Sequence, residues 1–487
     1  MKYLYRIFVV VVFSFGLWQC SNNTTQPIVN KPSSYFQGLR KAGNYAGVMM
    51  EGFYWNTPSG WWDSLANSAA ALSNMAGGYG IDRIWFPPAY KGQSGSSSMG
   101  YDPTDYYDLG NYYQNGTTAT RFGTLAELQN AIASFHANGI SVMEDLVLNH
   151  RSGGASESNP VTGGSTWTDF SHVASGQCLW HWDSFHPNYV HASDPGTFGG
   201  MPDVCYESGS SYTDIQTWMK WLQSNIGFDG GWRFDYCKGI YPWVVYDMKN
   251  ATGNPFSVGE YWDSNTSTLE WWVGQANASA FDFALYYTMA NIFNNTSGGG
   301  YMPNLIDPNY SFAAKDAMHA VTFCGNHDTD QIITDKMIGY AFILTYQGYP
   351  CIWWKDYYNY GLATLGGEWG NGINQLVWVR GKLAAGSPNI QLLKTDDGDL
   401  LIYGSYGYST SSPGYIVALN DNSSNWLGAT VTTGNNYLKN QNLKCYAWYS
   451  SVSGQNAQPQ TKWCDGSGNV QVWAPPRGYA VYSVDGL

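Results

Sequence analysis

Carboxyl side chains stand at the ends of four short apolar segments of this sequence, at Glu144-Asp145, Asp235, Glu260 and Asp328. Two carboxyl groups about 5 Å apart can cleave a glycosidic bond with retention of configuration, because one attacks the anomeric carbon while the other protonates the leaving oxygen. The residue types and their placement therefore predict the site of a retaining glycoside hydrolase.

Two of these acids can be given roles from their neighbours. Arg233 lies two residues before Asp235, so on a strand both side chains point to the same side and the guanidinium favours the ionised nucleophile. Glu260 follows the apolar run 256–259, where burial and nearby carboxylates raise the pKa and keep the acid protonated. Any one acid alone could be a salt bridge or a helix cap, but agreement among four strand ends favours catalysis.

Eight short apolar runs, separated by helix-like stretches, must position these acids. The runs are continuous rather than alternating, as expected for strands with both faces buried in a parallel sheet. Eight such units predict an α/β fold, a closed (β/α)8 TIM barrel whose catalytic groups gather at the C-terminal strand ends. The predicted strands are 48–54, 82–86, 141–148, 230–236, 256–262, 280–284, 320–324 and 350–354, and the predicted helices include 125–137 and 215–225.

Composition changes along the chain predict further domains. Residues 151–206 are rich in Gly, Ser, His and Trp without helical periodicity, which indicates a small irregular domain inserted after strand 3. From 391 to 487, alternating strands with Gly, Ser and Asn turns predict a C-terminal antiparallel β domain. The barrel then comprises residues 43–150 and 207–390.

The N-terminus is typical of an export signal. Lys2 and Arg6 precede an apolar run, 7–17, that is too short to span a bilayer comfortably. Residues 1–20 are therefore the predicted signal and 21–42 a linker, and the mature protein is extracytoplasmic. Cys20 and the polar stretch after it resemble a bacterial lipoprotein, but Trp18 and Gln19 are not the usual small residues. Lipid anchoring at the cell surface or in the periplasm and plain secretion both remain open.

Composition limits the partners. The net charge is −13 and no basic cluster interrupts it, so nucleic acid is excluded as a partner. Aromatic residues make up 17% of the chain, which suits a protein that binds the flat apolar faces of sugars. We expect a monomer.

Five of the eight cysteines fall into two groups. Cys237, Cys324 and Cys351 lie in apolar strand-like runs and are predicted to be inert buried thiols. Cys445 and Cys464 lie in the β-rich tail, where they could pair or remain free.

Six motifs carry a specific resemblance. They are Asp145-Leu-Val-Leu-Asn149-His150, residues 231–239 around Arg233 and Asp235, Val258-Gly-Glu260-Tyr, Cys324-Gly-Asn326-His327-Asp328, residues 100–106, and Met201-Pro202-Asp203-Val204. Over nearly all of residues 43 to 390 the sequence resembles the α-amylase family of glycoside hydrolases, and within it the archaeal α-amylases most closely. The resemblance implies endo-acting hydrolysis of α-1,4 bonds in starch, glycogen or related α-glucans.

The resemblance also implies site residues. Asp235 would be the nucleophile, Glu260 the general acid and base, and Asp328 the third acid, which stabilises the transition state. The substrate or the nucleophile would be contacted by Tyr101, His150, Arg233, Lys238 and His327. Lys238 could equally be a solvated surface charge.

Two metal sites follow from the same resemblance. Calcium would bind where the inserted domain meets the barrel, through Asn149, Asp194, Gly196, Asp203 and Gly239, whose oxygens suit this ion. The alternative is a set of hydrogen-bonded acids. His186, His191 and Cys205 match a zinc site of archaeal relatives, and tetrahedral zinc would need a fourth ligand. The alternative is that these residues bind no metal.

Two rival functions remain. A maltogenic enzyme or transglycosylase on α-glucans would use the same acids. A non-catalytic glucan-binding surface protein would fit the aromatic content, but the intact set of three acids argues against it.

Overall fold

The computed structural model describes residues 47–295, 300–329, 334–365, 370–384 and 390–487. The predicted signal, the linker and Cys20 lie outside these residues. Within the described ranges no helix combines the length and the apolar character needed to cross a bilayer.

All eight predicted strands are present, and they form a closed parallel barrel, which confirms the predicted fold. Neighbours along the chain are neighbours in the barrel, and the first strand pairs with the last. The strands are β1 (Met49–Glu51), β2 (Arg83–Trp85), β3 (Ser141–Leu146), β4 (Trp232–Phe234), β5 (Ser257–Gly259), β6 (Ser279–Phe281), β7 (Ala320–Phe323) and β8 (Tyr349–Trp353). Seven of the eight are shorter than their predicted runs, because the runs continue into loops, and β8 has the predicted length but begins one residue earlier.

Helices separate the strands as a (β/α)8 barrel requires. They are α1 (Trp61–Gly78), α2 (Leu125–Ala137), α3 (Ser211–Trp221), α4 (Pro242–Ala251), α5 (Thr266–Ala276), α6 (Phe283–Phe293), α7 (Phe312–Lys315), α8 (Lys336–Thr345) and α9 (Gly372–Trp378). The predicted helix 125–137 is confirmed to the residue, since Thr124 and Glu127 form a capping box that fixes its start. α3 begins four residues before its prediction, because its first turn is polar, and it continues into a π-helical turn, Leu222–Ile226.

The segment 151–206 lies between β3 and α3 and is mostly irregular, but it contains a hairpin that was not predicted. The strands Ala155–Asn159 and Gly164–Asp169 pair antiparallel. Their small polar residues carry no period-2 hydrophobic signal, so the sequence gives little sign of them. Buried Arg151 links the segment to the preceding part of the chain, because its guanidinium donates to the main-chain oxygen of Thr104, and it packs 3.8 Å from the centre of the Phe170 ring within the segment.

The C-terminal strands confirm the predicted antiparallel domain. They are β9 (Ile390–Lys394), β10 (Leu400–Ser409), β11 (Ser412–Asn420), β12 (Leu427–Thr432), β13 (Gln441–Ser450), β14 (Lys462–Cys464), β15 (Asn469–Ala474) and β16 (Gly478–Val484). One sheet has the order β9-β10-β11-β16-β13-β14, and β12 pairs with β15. Cys445 and Cys464 are free buried thiols, so they do not pair, and Cys237, Cys324 and Cys351 are also free and buried, as predicted.

Candidate active site

Arg233 is the centre of the site. Its buried guanidinium donates through Nη1 to Oδ1 of Asp145 and to Oδ1 of Asp235, each at 2.7 Å. Nη2 lies 3.1 Å from Oε1 of Glu260. These acids come from the ends of β3, β4 and β5, which are adjacent in the barrel. The structure therefore brings three of the four predicted strand ends to one cation.

The backbone after β4 and β5 aims Glu260 at this cation. Tyr236 has φ of 41°, a left-handed conformation that costs a non-glycine residue energy. In this conformation its N–H donates to Oε2 of Glu260 at 3.0 Å. Gly259 is required before Glu260, because a Cβ there would overlap the Trp272 ring of α5. Helix packing and a strained turn thus fix the acid from both sides.

The electrostatics of the cluster favour one retained proton. Burial raises the pKa of Glu260, against the opposing charge of Arg233. Burial also raises the pKa of Asp235 well above its usual range; Arg233 favours the ionised form, as predicted, but does not outweigh burial and the neighbouring acids. One guanidinium therefore faces more carboxyl groups than it can neutralise, and a proton stays within the cluster.

The fourth strand end, after β7, adds His327 and Asp328. His327 Nε2 lies 3.3 Å from Oδ2 of Asp328, whose side chain is 38% exposed. The imidazole stacks on the Tyr101 ring with centroids 5.2 Å apart and planes 9° apart. The Tyr101 hydroxyl donates to Oδ2 of Asp145 at 2.7 Å. All three predicted catalytic acids thus belong to one connected set of contacts.

His150 and Lys238 contact other groups. The His150 Nε2 is 3.0 Å from the main-chain oxygen of Tyr101, and its ring stacks on Phe198 at 5.0 Å. Lys238 is partly exposed and its Nζ forms an ion pair with Asp263 at 2.9 Å. His150 therefore supports the Tyr101 loop, and Lys238 already has an anionic partner.

Two residues that follow from β1 were missed by sequence reasoning. Trp55 is 46% exposed, and its ring is nearly parallel to those of Tyr101 and His327, at 5.9 and 6.3 Å. Glu51 is buried and accepts from His327. The signal was present, because β1 also ends in a carboxyl residue and the strand-end rule could have been applied to it.

Several oxygens predicted to bind calcium converge. The side-chain amide of Asn149 lies 3.1 Å from the main-chain oxygen of Gly196 and 2.9 Å from that of Gly239. If the amide nitrogen of Asn149 faces these two carbonyl oxygens, it donates a hydrogen bond to each. If the amide oxygen faces them, the three oxygens together can coordinate a cation. Asp194 and Asp203 lie with His186 in a group whose ligand atoms are within 4.8 Å of one another. Oδ1 of Asp203 is buried without a hydrogen-bond partner among the described residues, so a hard cation fits this donor set.

The predicted zinc ligands are not all together. His186 and Cys205 lie within 4.8 Å of each other, but the third member of their group is Glu207, not His191. The rings of His186 and His191 are 6.5 Å apart, centre to centre. Glu207 was missed because nothing in the sequence marks it, and only the chain path beyond Cys205 turns it toward the group.

A closed parallel barrel with acids from adjacent strand ends around one buried arginine defines a barrel glycoside hydrolase. Residues 76–353 match the family described as alpha amylase, catalytic domain. This is more than half of the 487 residues, and the chain belongs to the α-amylase family.

Individual relatives agree with this membership. The chain is 31% identical to an alpha-amylase of Bacillus licheniformis, over 65% of this chain and 72% of the relative. It is 31% identical to a glucan 1,4-alpha-maltohexaosidase of Bacillus sp. (strain 707), over 70% and 76%. It is 25% identical to a cytoplasmic alpha-amylase of Escherichia coli (strain K12), over 88% and 98%.

A solved structure supports the fold across most of the chain. The alpha-amylase of Geobacillus thermoleovorans, complexed with acarbose, has a TM-score of 0.62 at 16% identity and covers 90% of this chain and 98% of its own. The named relatives are bacterial, and another is from the plant Arabidopsis thaliana, so the predicted likeness to archaeal α-amylases is unsupported.

Proposed function

We propose that the protein is an endo-acting α-amylase that hydrolyses α-1,4-glucosidic bonds of starch, glycogen or related α-glucans with retention. The observation that carries the proposal is the shared contact of Asp235 and Glu260 with Arg233. This contact makes a nucleophile and an acid neighbours on one face of the barrel, as double displacement needs.

Each acid is assigned one role. Burial raises the pKa of both acids, and that of Asp235 more strongly, but Asp235 has the shorter contact to the guanidinium, 2.7 Å against 3.1 Å. We therefore place the negative charge on Asp235 and the retained proton on Glu260. Oδ2 of Asp235 attacks the anomeric carbon as the bond to the leaving oxygen breaks, and Glu260 gives its proton to that oxygen. Glu260 then takes a proton from water, which displaces Asp235. Asp328 stabilises the positive charge that develops on the sugar.

Product analysis tests this function. We expect the protein to release reducing ends from soluble starch, with the α-anomer formed first, and to leave β-linked cellulose intact. Polarimetry or NMR within the first minutes, before mutarotation, reads the anomer. Initial formation of the β-anomer would contradict double displacement, and inactivity toward every α-glucan would contradict the assignment as an enzyme and favour a non-catalytic glucan-binding protein.

The distribution of products distinguishes an endo-acting α-amylase from a maltogenic enzyme or transglycosylase that uses the same acids. A maltogenic enzyme or transglycosylase would yield a single short product or longer glucans, because water and sugar acceptors compete for the same ester. The maltohexaosidase named among the relatives shows that product preference differs among similar chains. We propose the endo mode, which predicts a rapid fall in starch viscosity with few reducing ends.

We propose that calcium binds through Asn149, Asp194, Gly196, Asp203 and Gly239. When bound, the ion would cross-link the inserted segment to the barrel. Burial and the neighbouring charge of Asp203 raise the pKa of Asp194 to about 8, and a cation would relieve this repulsion. Zinc on His186, Cys205 and Glu207 is the second candidate, and since both groups contain His186, metal analysis must distinguish them.

Removing calcium is expected to lower the melting temperature. Calcium at about 100 times its Kd adds about 2.7 kcal/mol to the free energy of unfolding. Calorimetry with EDTA and with added CaCl2 measures this difference. We expect Asp194→Asn to lose the stabilisation by calcium and Asp263→Asn, at a half-buried carboxylate paired with Lys238, to keep it. Equal melting temperatures in EDTA and in calcium would contradict the site, and elemental analysis showing zinc alone would favour the second candidate.

We further propose that the protein is exported, acts outside the cytoplasm as a monomer, and carries lipid on Cys20. We propose the domain boundaries 43–150, 151–206, 207–390 and 391–487. The support for export is the charged and apolar pattern of residues 1–20. Labelling with a radioactive fatty acid, compared between the native chain and Cys20→Ala, tests the lipid.

A further inference from the structure

Glu51 has no role in the steps above, yet it is buried directly behind the site. It ends β1, and its neighbours in register are Trp353 of β8 and Trp85 of β2. Its Oε1 accepts from Nδ1 of His327 at 2.7 Å and from the His327 main-chain N–H at 3.2 Å. Burying a carboxyl group costs free energy unless hydrogen bonds or an ion pair compensate for its desolvation.

The ring of His327 is held on every side. Tyr101 stacks on it, Phe53 packs at 4.9 Å, and the Trp85 edge lies at 5.6 Å. With Nδ1 bonded to Glu51, only Nε2 remains to face Asp328, at 3.3 Å. The hydrogen bond to Glu51 therefore determines both the orientation of the ring and which nitrogen is presented to the site.

We propose that Glu51 is a positioning residue that keeps His327 as an imidazolium, with its Nε2–H directed at Asp328 and the bound sugar. This inference rests on the proposed function for its effect on catalysis, but not for the state of His327. The carboxylate of Glu51 accepts a hydrogen bond from Nδ1 and so stabilises the positive charge on the ring. Asp328 lies on the other side of the ring, so the imidazolium has a carboxylate at each nitrogen.

The charges around the pair support the ionised arrangement. Burial acts to lower the pKa of His327, but Asp328 and Glu51 outweigh it and raise the pKa to about 9. Burial raises the pKa of Glu51 to about 7, against the opposing effect of His327. In the 2.7 Å contact each group favours the charged form of the other, since Glu51 raises the pKa of His327 and His327 lowers that of Glu51, so we place the shared proton on Nδ1.

Other titratable groups near the pair do not replace this role. They are Arg233 from β4, Glu260 after β5, Cys351 from β8, and Tyr101 and Asp328 from loops. Burial keeps Cys351 and Tyr101 neutral, since it raises both pKa values well above their usual range. Arg233 opposes the charge on His327, so without Glu51 the imidazolium would have an opposing cation and only one carboxylate.

Glu51→Gln tests the proposal with little change of shape. The glutamine oxygen can still accept from Nδ1, but the charge is gone, so the pKa of His327 should fall by about 1 to 3 units. NMR of protein labelled with 15N in histidine measures this titration, and His327→Gln identifies the signal. The alkaline limb of kcat/KM on starch should move to lower pH by a similar amount.

The control is Glu144→Gln, which alters another buried strand-end glutamate. Glu144 accepts from the Ala89 N–H at 2.8 Å, and burial raises its pKa well above the usual range, so glutamine there removes no charge. This variant should leave the His327 titration unchanged. An unshifted His327 titration in Glu51→Gln would overturn the proposal even in an active enzyme. If the titration of His327 shifts in Glu51→Gln but the native protein does not hydrolyse starch, the proposed function is overturned and the positioning role of Glu51 stands.

Discussion

Replacing Asp235 by asparagine is expected to lower kcat on starch by about 10^4-fold or more, the scale on which loss of a nucleophile acts. An amide oxygen attacks the anomeric carbon poorly, while its shape and its hydrogen bond from Arg233 are preserved. Substrate binding should therefore change little, and KM should stay within several-fold of the native value. Reducing-sugar assays and isothermal titration with a maltooligosaccharide measure the two quantities separately.

A matched control is Asp229→Asn. Asp229 precedes β4 at the opposite end of the barrel, where its half-exposed carboxylate accepts from the Val142 N–H at 2.9 Å. Asparagine can keep this bond, so activity should remain near the native level. If Asp235→Asn retained a tenth or more of native kcat, another group would have to be the nucleophile.

The barrel was predictable because its strands and helices are marked by patterns of neighbouring residues in the sequence. The strands are runs of apolar residues, four of which lead into carboxyl residues; Gly231 lies against the backbone of Phe256, and Gly259 lies against the Trp272 ring. The capping box at Thr124 fixed a helix start in the same way. Strand bounds were less accurate, since hydrophobic runs continue into loops after pairing has ended.

The candidate site was predictable in its acids but not in its supporting contacts. Strand ends gave Asp235 and Glu260, because position in a barrel implies proximity. Glu51 meets His327 across 276 positions of sequence, and that contact exists only once β1 and β7 close around β8. Trp55 and Glu207 lie in loops, where no periodicity limits the path of the chain.

The ionisation of the acids shows a further limit. Arg233 two residues before Asp235 correctly predicted an ion pair, at 2.7 Å. The sequence could not show that Asp145 would contact the same Nη1 atom or that both acids would be buried. Charge balance within such a cluster depends on how many groups share one cation, which is a property of the closed barrel.

Replacing Glu260 by glutamine is expected to lower kcat on starch by about 10^2- to 10^4-fold, the usual contribution of a general acid and base. Its effect should depend on the leaving group, unlike that of Asp235→Asn. A dinitrophenyl maltooligosaccharide needs no proton to depart, so ester formation on Asp235 should proceed and its hydrolysis should become slow. Stopped-flow detection should then show a burst of dinitrophenolate equal to the enzyme concentration.

Azide can distinguish the two acids, because it is a nucleophile that needs no base. In Glu260→Gln it should attack the ester on Asp235 and give the α-glycosyl azide with a faster steady state. In Asp235→Gly it should replace the nucleophile itself and give the β-glycosyl azide. The control Glu144→Gln should show neither a burst nor azide product. Since the anomer depends on which face azide enters, NMR of the two azides assigns each carboxyl group to its side of the sugar, and the same anomer from both variants would contradict the assignment.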